Sequence, residues 1–449
     1  MRALFGRLFG EPLSAAVVRR EAAAGLTTFM TMAYIIFVQP QILSGAGMDA
    51  GAVMVATCLS AAVATLVMGL WANYPVALAP GMGENFFFAL TVTPFCAQRL
   101  GLLGDAAWQT ALGVVYLSAI PFWLLTLLGF RRALMDALSP SMKNGVAVGI
   151  GLFITFIGLH QGGLVVRNPG ALVQLNPQLT NTDTLIFLFG LVLTAVLFAR
   201  RVRGAILWGI LAGAIAALAA GHASFSGVVS APPSLTPVLM RMDVATVFRH
   251  FLALLPFIVI FTFMDIFDTV GTLVGVAEQA GFLRDNRLPR ADQAMLADAL
   301  GTSVGAILGT STVTSYIEST TGVEYGGRTG LTACFTALFF LLALFFSPLV
   351  RLVTACAAVT APALVIVGAM MMRNARAIDW SDYTESIPAF LTLTGIPLTW
   401  SIADGLALGF LSYPLLKLCT GRARETSWLM YVIAAVLIFY FALVRSRTA

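Results

Sequence analysis

Apolar stretches of about 20 residues follow one another along almost the whole chain, broken only by short segments that carry charge or turn residues. A helix needs about 20 mostly apolar residues to cross a hydrocarbon core about 30 Å thick, and backbone at that depth must satisfy its own hydrogen bonds. The chain is therefore an all-α polytopic membrane protein. Apolar runs bounded by charge or turns put spans at 22–43, 51–71, 75–95, 107–129, 144–161, 182–199, 204–221, 251–276, 291–309, 310–324, 329–349, 352–372, 383–399 and 401–418, with an extra apolar helix at 427–444. In 449 residues, of which 59% are hydrophobic and 10% charged, that leaves no room for a sizeable soluble domain.

The net charge of +5 does not point to nucleic acid, because the 26 Lys and Arg are scattered through short loops instead of lining one stripe. They read as topology markers. With a cytoplasmic N-terminus, nineteen fall inside (Arg2, Arg7, Arg19 and Arg20; Arg131, Arg132 and Lys143; Arg200, Arg201 and Arg203; Arg284, Arg287 and Arg290; Arg328; Arg373 and Arg376; Lys417, Arg422 and Arg424). With Arg445 and Arg447 left uncounted, only Arg99, Arg167, Arg241, Arg249 and Arg351 fall outside, which fits that orientation and an even number of crossings before residue 420. Cys58, Cys96, Cys334, Cys356 and Cys419 form no CxxC pair and have no His at metal spacing, so neither a disulfide framework nor a metal site is expected. Arg7 and Glu11 interrupt the N-terminal segment, so no cleavable signal peptide is expected and the first span serves as its own insertion signal.

Fourteen crossings divide into two copies of seven, and because seven is odd the second copy would be inverted. Thr28-Phe29-Met30 in the first span recurs as Thr262-Phe263-Met264 in the eighth, and the same offset carries Glu84 in the third span onto Glu318 in the tenth. These two spans are also the irregular ones. The third holds Pro80-Gly81-Met82-Gly83 at its centre, where a continuous helix would be costly. The tenth, GTSTVTSYIESTTG from Gly309 to Gly322, has Ser or Thr at eight of positions 310–321 and is too polar to face lipid. Irregular backbone at membrane depth is tolerated where protein or a water-filled cavity covers it, and a pair of such segments at matching places points to a transporter's binding site.

Isolated carboxylates mark the same region. Glu84 is the only charged residue between Ala50 and Gln98, Asp265 and Asp268 are the only ones between Phe251 and Ala277, and Glu318 is similarly alone. Ionisable groups in spans are costly and usually mark substrate pathways or proton relays, the alternative being a tie to a neighbouring helix. Asp265 and Asp268 share a helix face with Thr269 and Thr272. Asp265, deeper in the span, is the expected substrate ligand. Asp268, with Thr269, is expected either to brace the broken tenth span or to take part in proton coupling. A carboxylate suits a neutral heterocycle with N–H donors, on whose face an aromatic side chain stacks. Phe86 beside Asn85, and Tyr316 and Ser319 beside Glu318, complete the candidate set. Lys143 and Lys417, the only lysines, are read as loop residues, so no cationic partner is expected near Asp265 or Glu318. Glu84 either faces the cavity or caps the half-helix of the third span.

The stretches GLTTFMTMAYIIFVQPQIL (25–43), APGMGENFFFAL (79–90), FDTVGTLVGVAEQAG (267–281) and GTSTVTSYIESTTGVEYGGRTGLTA (309–333) resemble the nucleobase–cation symporter-2 family, in its AzgA-like adenine/guanine/hypoxanthine branch. The resemblance runs from about Glu21 to Lys417. It implies fourteen transmembrane segments in a seven-plus-seven inverted repeat, with short strands in spans three and ten. It further implies a core of about 22–129 and 251–349 and a gate of about 140–221 and 352–418. By the same resemblance the substrate carboxylates fall on Asp265 and Glu318, the polar residue after the glycine turn on Asn85, and the second eighth-span carboxylate on Asp268. The chain departs from the branch's usual GMGLNAYFA by reading GMGENFFFA, with Glu84, Phe86 and Phe87 as the novel residues.

The resulting expectation is a secondary transporter of the cell (inner) membrane that imports purine nucleobases by proton symport and alternating access. The proton is the coupling ion and no cofactor is expected. The alternatives are a carrier of uracil or xanthine, or of a small anion, on the same fold. No GxxxxGK[ST] loop is present, so the chain lacks that ATP site. His160, His222 and His250 lie near span ends away from the carboxylates, which argues against an intramembrane enzyme. A homodimer is left open.

Overall fold

The computed structural model describes residue 9 and residues 14–128, 138–170, 172–282 and 288–439. Arg2, Arg7, Glu11, the loop with Arg131 and Arg132, the loop with Arg284 and Arg287, the end of the fourth span at 129 and residues 440–444 of the extra helix lie outside these. Nine helices among the described residues are long and apolar enough to cross a membrane, and Ala205–Ala219 and Trp428–Ile438 are shorter apolar helices.

Span one is broken in two, α1 (Ala15–Met32) and α2 (Ile35–Ser44). Pro40 has no N–H to offer the preceding turn, and the Thr31 hydroxyl binds back to the carbonyls of Thr27 and Thr28. The Thr31 bonds fall just before the break at Ala33 and Tyr34, whereas Pro40 leaves the Ile36 carbonyl within α2 without its helical donor; the apolar run at 22–43 conceals the break. There follow α3 (Ala50–Val67), strand β1 (Leu78–Pro80), α4 (Met82–Phe87), α5 (Thr93–Arg99), α6 (Asp105–Leu127) and α7 (Pro140–Gln161). An exposed hairpin, β2 (Val165–Asn168) and β3 (Leu172–Leu175), is an addition to the two strands expected. The first half ends with α8 (Thr182–Ala199) and α9 (Ala205–Ala219).

The second half repeats the order. A short α10 (Val244–Arg249) leads into α11 (Phe251–Ala280), then α12 (Ala291–Leu308), strand β4 (Val313–Ser315), α13 (Ser319–Glu324) and α14 (Gly330–Ala343). It continues through α15 (Ser347–Thr354), α16 (Ala357–Met371), α17 (Tyr383–Leu398) and α18 (Ile402–Cys419), and α19 (Trp428–Phe439) is the extra helix. Spans three and ten therefore each consist of a short strand and a short helix, as the Pro-Gly and Ser/Thr-rich stretches predict. The strands pair antiparallel with Leu78 opposite Ser315, Ala79 opposite Thr314 and Pro80 opposite Val313. The Gly81 N–H donates to the Thr312 carbonyl (3.0 Å) and the Tyr316 N–H to that of Ala77 (3.0 Å), extending the ladder at both ends.

Two groups of helices pack mainly within themselves. Helices α1, α3, α6, α11, α12 and α14 surround the crossing strands, while α7, α8, α9, α16, α17 and α18 form the other group. Lys143 and Lys417, read as loop residues, both lie in helices. Lys417 is buried in the last turn of α18, with Glu385 at 2.9 Å and Glu425 at 3.0 Å.

Candidate functional site

Each strand of the crossing pair is only three residues long, so most of its polar backbone must find partners in side chains. The hydroxyl-rich spans supply them. Thr65 Oγ1 accepts from the Leu78 N–H (2.9 Å) and donates to the Leu78 carbonyl (3.1 Å). Thr302 Oγ1 accepts from the Val313 N–H (3.1 Å) and lies 2.7 Å from Asp265 Oδ2. Ser319 Oγ accepts from the Ala77 N–H (3.0 Å), and the Tyr316 hydroxyl donates to the Pro80 carbonyl. Ser315 donates to Asp298 Oδ1 (2.9 Å), and the Thr269 and Thr314 hydroxyls pair at 2.9 Å.

These bonds sort the expected site residues. Asn85 is fully buried, accepting from Gln39 Nε2 (3.0 Å) and from the Ser311 hydroxyl. Gln39 also donates to Thr310 (2.9 Å), so span one, span three and span ten are joined there. Phe86 is buried edge-on against Phe153, with ring centres 6.3 Å apart. Asn85, Phe86 and Ser319, all three expected at substrate, do not line the central cavity and are engaged in packing and hydrogen bonds beside the strands.

The wall itself encloses a cavity of about 1680 Å³ between the two helix groups. Tyr34, Gly81, Glu84, Tyr316 and Glu318 are buried residues of its wall, Asp268 is exposed to it, and Lys143, Arg201, Arg203 and Arg373 line it where the basic segments lie. It thus opens on the face that carries the basic loops. Glu318 accepts from the Tyr34 hydroxyl (3.0 Å), which makes the break in span one part of the site. Glu84 lines the cavity but turns its carboxylate back over Gly81, where an added Cβ would collide with Oε2. Its own amide N–H is its backbone donor, so the carboxylate sits at the start of the half-helix α4.

The two eighth-span carboxylates face different surroundings. Asp265, the expected ligand, is 1% exposed, bound to Thr302 and absent from the cavity wall. Asp268, expected as a brace or a proton-coupling group, is exposed to the cavity and makes no hydrogen bond to a described residue. Positions three apart lie about 60° apart around a helix, enough for one to face the strands and the other the cavity edge. Beside the strands stand Thr269, expected there and paired with Thr314, Asp265 through Thr302, and a further carboxylate, Asp298, through Ser315. The Asp298 and Asp265 carboxyls adjoin at the back of the strands. Asp298 is the only charged residue between Asp292 and Glu318, so the isolation rule that found the other carboxylates would have found it too. Tyr34 and Gln39 gave no such signal.

Residues 19–408 match the sequence profile of a permease family, Xan_ur_permease. The chain is 52% identical over 423 residues to the Methanocaldococcus jannaschii protein MJ0326, covering 94% of each. It is 42% identical to the adenine permease AdeQ of Escherichia coli, covering 96% of this chain and 94% of that one. To the guanine/hypoxanthine permease PbuG of Bacillus subtilis it is 42% identical, covering 95% and 97%. Among solved structures the fold is similar to the transmembrane domain of the cyanobacterial bicarbonate transporter BicA. The TM-score there is 0.64 at 14% identity, over 88% of this chain and 98% of that one.

Proposed function

We propose, from the premise that this chain belongs to the nucleobase–cation symporter-2 permease family, that it is a multi-pass membrane carrier of purine nucleobases driven by proton symport. The observation that carries the reading is the meeting of Asp268 and Glu318 on the wall of one cavity that Gly81, Ser315 and Tyr316, at the ends of the paired strands, also line. Adenine and guanine offer ring and exocyclic N–H groups in one plane and hypoxanthine ring N–H groups, and two carboxylates can accept from that plane. Tyr316, Phe263 and Phe267 line the same cavity and offer ring faces for stacking.

Asp268 and Glu318 are the proposed substrate contacts, with the Asp265–Asp298 pair behind the strands as the seat of the coupling proton. Two adjoining carboxyls are held together when one carries a proton, so loading and release of that proton would be felt by the strands through Thr302 and Ser315. A small anion is disfavoured, because the buried ionisable residues of the wall, Glu84 and Glu318, are carboxylates and no buried residue of the wall is basic. The helix group around the strands is the proposed core, the other group the proposed gate, and the open cavity corresponds to an inward-facing state if the basic loops are cytoplasmic. The test is uptake of labelled adenine, guanine, hypoxanthine, uracil and xanthine into proteoliposomes. Saturable uptake of one or more of the purines adenine, guanine and hypoxanthine is expected; uptake confined to uracil or absent for every base would overturn the reading.

A further inference from the structure

On the face opposite the cavity mouth, three helix ends of the second packing group bring together an imidazole, a thiol and a carboxylate. Asp183 stands in the first turn of α8, His222 just past the end of α9, and Cys356 at the N-cap of α16, and these three helices pack on one another. The backbone fixes each position. Helix α9 closes with Gly221 at φ +77°, with the Gly221 N–H on the Leu218 carbonyl (3.1 Å) and the His222 N–H on that of Ala217 (2.9 Å). This is a left-handed glycine closure, which a Cβ would disfavour, and it fixes the imidazole-bearing residue next in line. His222 Nδ1 lies 2.7 Å from Asp183 Oδ1, Cys356 Sγ lies 3.7 Å from the same oxygen, and the three donor atoms all fall within 4.8 Å of one another.

We propose that Asp183, His222 and Cys356 form a zinc site. Zinc takes Cys sulfur at about 2.3 Å and His nitrogen or carboxylate oxygen at about 2.0–2.2 Å in a tetrahedron. Its ligand atoms therefore stand roughly 3.2–3.8 Å apart, and the observed spacings reach that range through side-chain adjustments of about an ångström or less. A plain His–Asp pair would have no need of the thiol, yet the thiol converges on the same carboxylate oxygen from a third helix. Cys356 is 7% exposed, whereas the side chains of Asp183 and His222 are 48% and 36% exposed, so the open fourth position faces solvent and can hold water. Sequence spacing hides the set, because Asp183 and Cys356 are 173 residues apart. A bound ion would tie the ends of α8, α9 and α16 together.

The test is zinc titration of the purified full-length protein against a chromophoric chelator, together with alkylation of its cysteines read by mass spectrometry. One zinc per chain is expected, weakened roughly tenfold or more in both His222→Ala and Cys356→Ser, with melting in chelator unchanged by either substitution. Zinc should also slow alkylation of Cys356 while leaving the exposed Cys419 as reactive as before. Absence of a stoichiometric zinc, equal affinity in the variants, or unprotected Cys356 would each overturn the site. If either variant fails to fold, the alkylation of the unmodified chain still decides.

Discussion

Replacing Asp268 by Asn separates a ligand-binding carboxylate from a structural one. Asp268 is exposed to the cavity and bonded to no described residue, so the change removes one charge without leaving a buried partner unsatisfied. Loss of a charge-assisted hydrogen bond to a bound base costs about 1.5–3 kcal/mol, which at 1.36 kcal/mol per decade is a fall in affinity of roughly 10- to 150-fold. The Asp265→Asn variant should behave differently. Asp265 is buried against Thr302 and Asp298, so its amide would place an N–H₂ group against that arrangement and lower stability by roughly 1–3 kcal/mol. Equilibrium binding of a labelled purine to purified protein, read beside a melting curve, distinguishes the two. Asp268→Asn should lose affinity at unchanged melting temperature, and Asp265→Asn should melt earlier. An Asp268→Asn protein that binds within twofold of the unmodified chain, with the loss appearing in Asp265→Asn at full stability, would refute this division of roles.

Thr302→Val removes the hydroxyl that serves Asp265, the Val313 N–H and the Val313 carbonyl, and should destabilise the protein by about 2–4 kcal/mol; a melting temperature equal to that of the unmodified chain would show that the strand does not depend on it. Glu84→Leu should lower stability by about 1 kcal/mol through the lost charge at the start of α4, with the ranking of bases unchanged, and a changed ranking in uptake competition would instead place the carboxylate at the substrate. At the basic face, hydrogen bonds from Thr384 and then the Arg422 guanidinium hold the Asp382 carboxyl down at about 2, and Arg422 and Lys417 hold that of Glu425 at about 2. Both pKa values are lowered by folding, so the stability they contribute is full above the unfolded value of about 4 and is lost as pH falls from about 4 toward 2. Melting curves from pH 5 to pH 2.5 should therefore fall more steeply for the unmodified chain than for Arg422→Gln, and parallel curves would count against the cluster.

The breaks in spans three and ten were legible because proline, glycine and crowded hydroxyls act locally on the backbone, and the strands follow at Leu78–Pro80 and Val313–Ser315. The matching positions of Glu84 and Glu318 likewise come from a repeat that the sequence still carries. Which member of a carboxylate pair faces the cavity was not legible, since Asp265 and Asp268 share a stripe and a rotation of about 60° decides between strand and cavity. The partners of Asn85 and Ser319 were not legible for a related reason: a polar side chain in a span can serve a neighbouring strand or helix as readily as a ligand. Tyr34 depends on a helix break inside an apolar run, and the Asp183, His222 and Cys356 cluster depends on three helix ends far apart in sequence. Neither leaves a periodic signal.

Proton-coupled purine transport is tested most directly by following pH and purine together in proteoliposomes that contain only this chain. Adding a purine outside, with no sodium present, should make the external medium more alkaline as base and proton enter together. The pH change should vanish in the presence of a protonophore, while an inward proton gradient should concentrate the base inside. Purine entry with no movement of protons, or entry that requires a sodium gradient and ignores pH, would contradict the account.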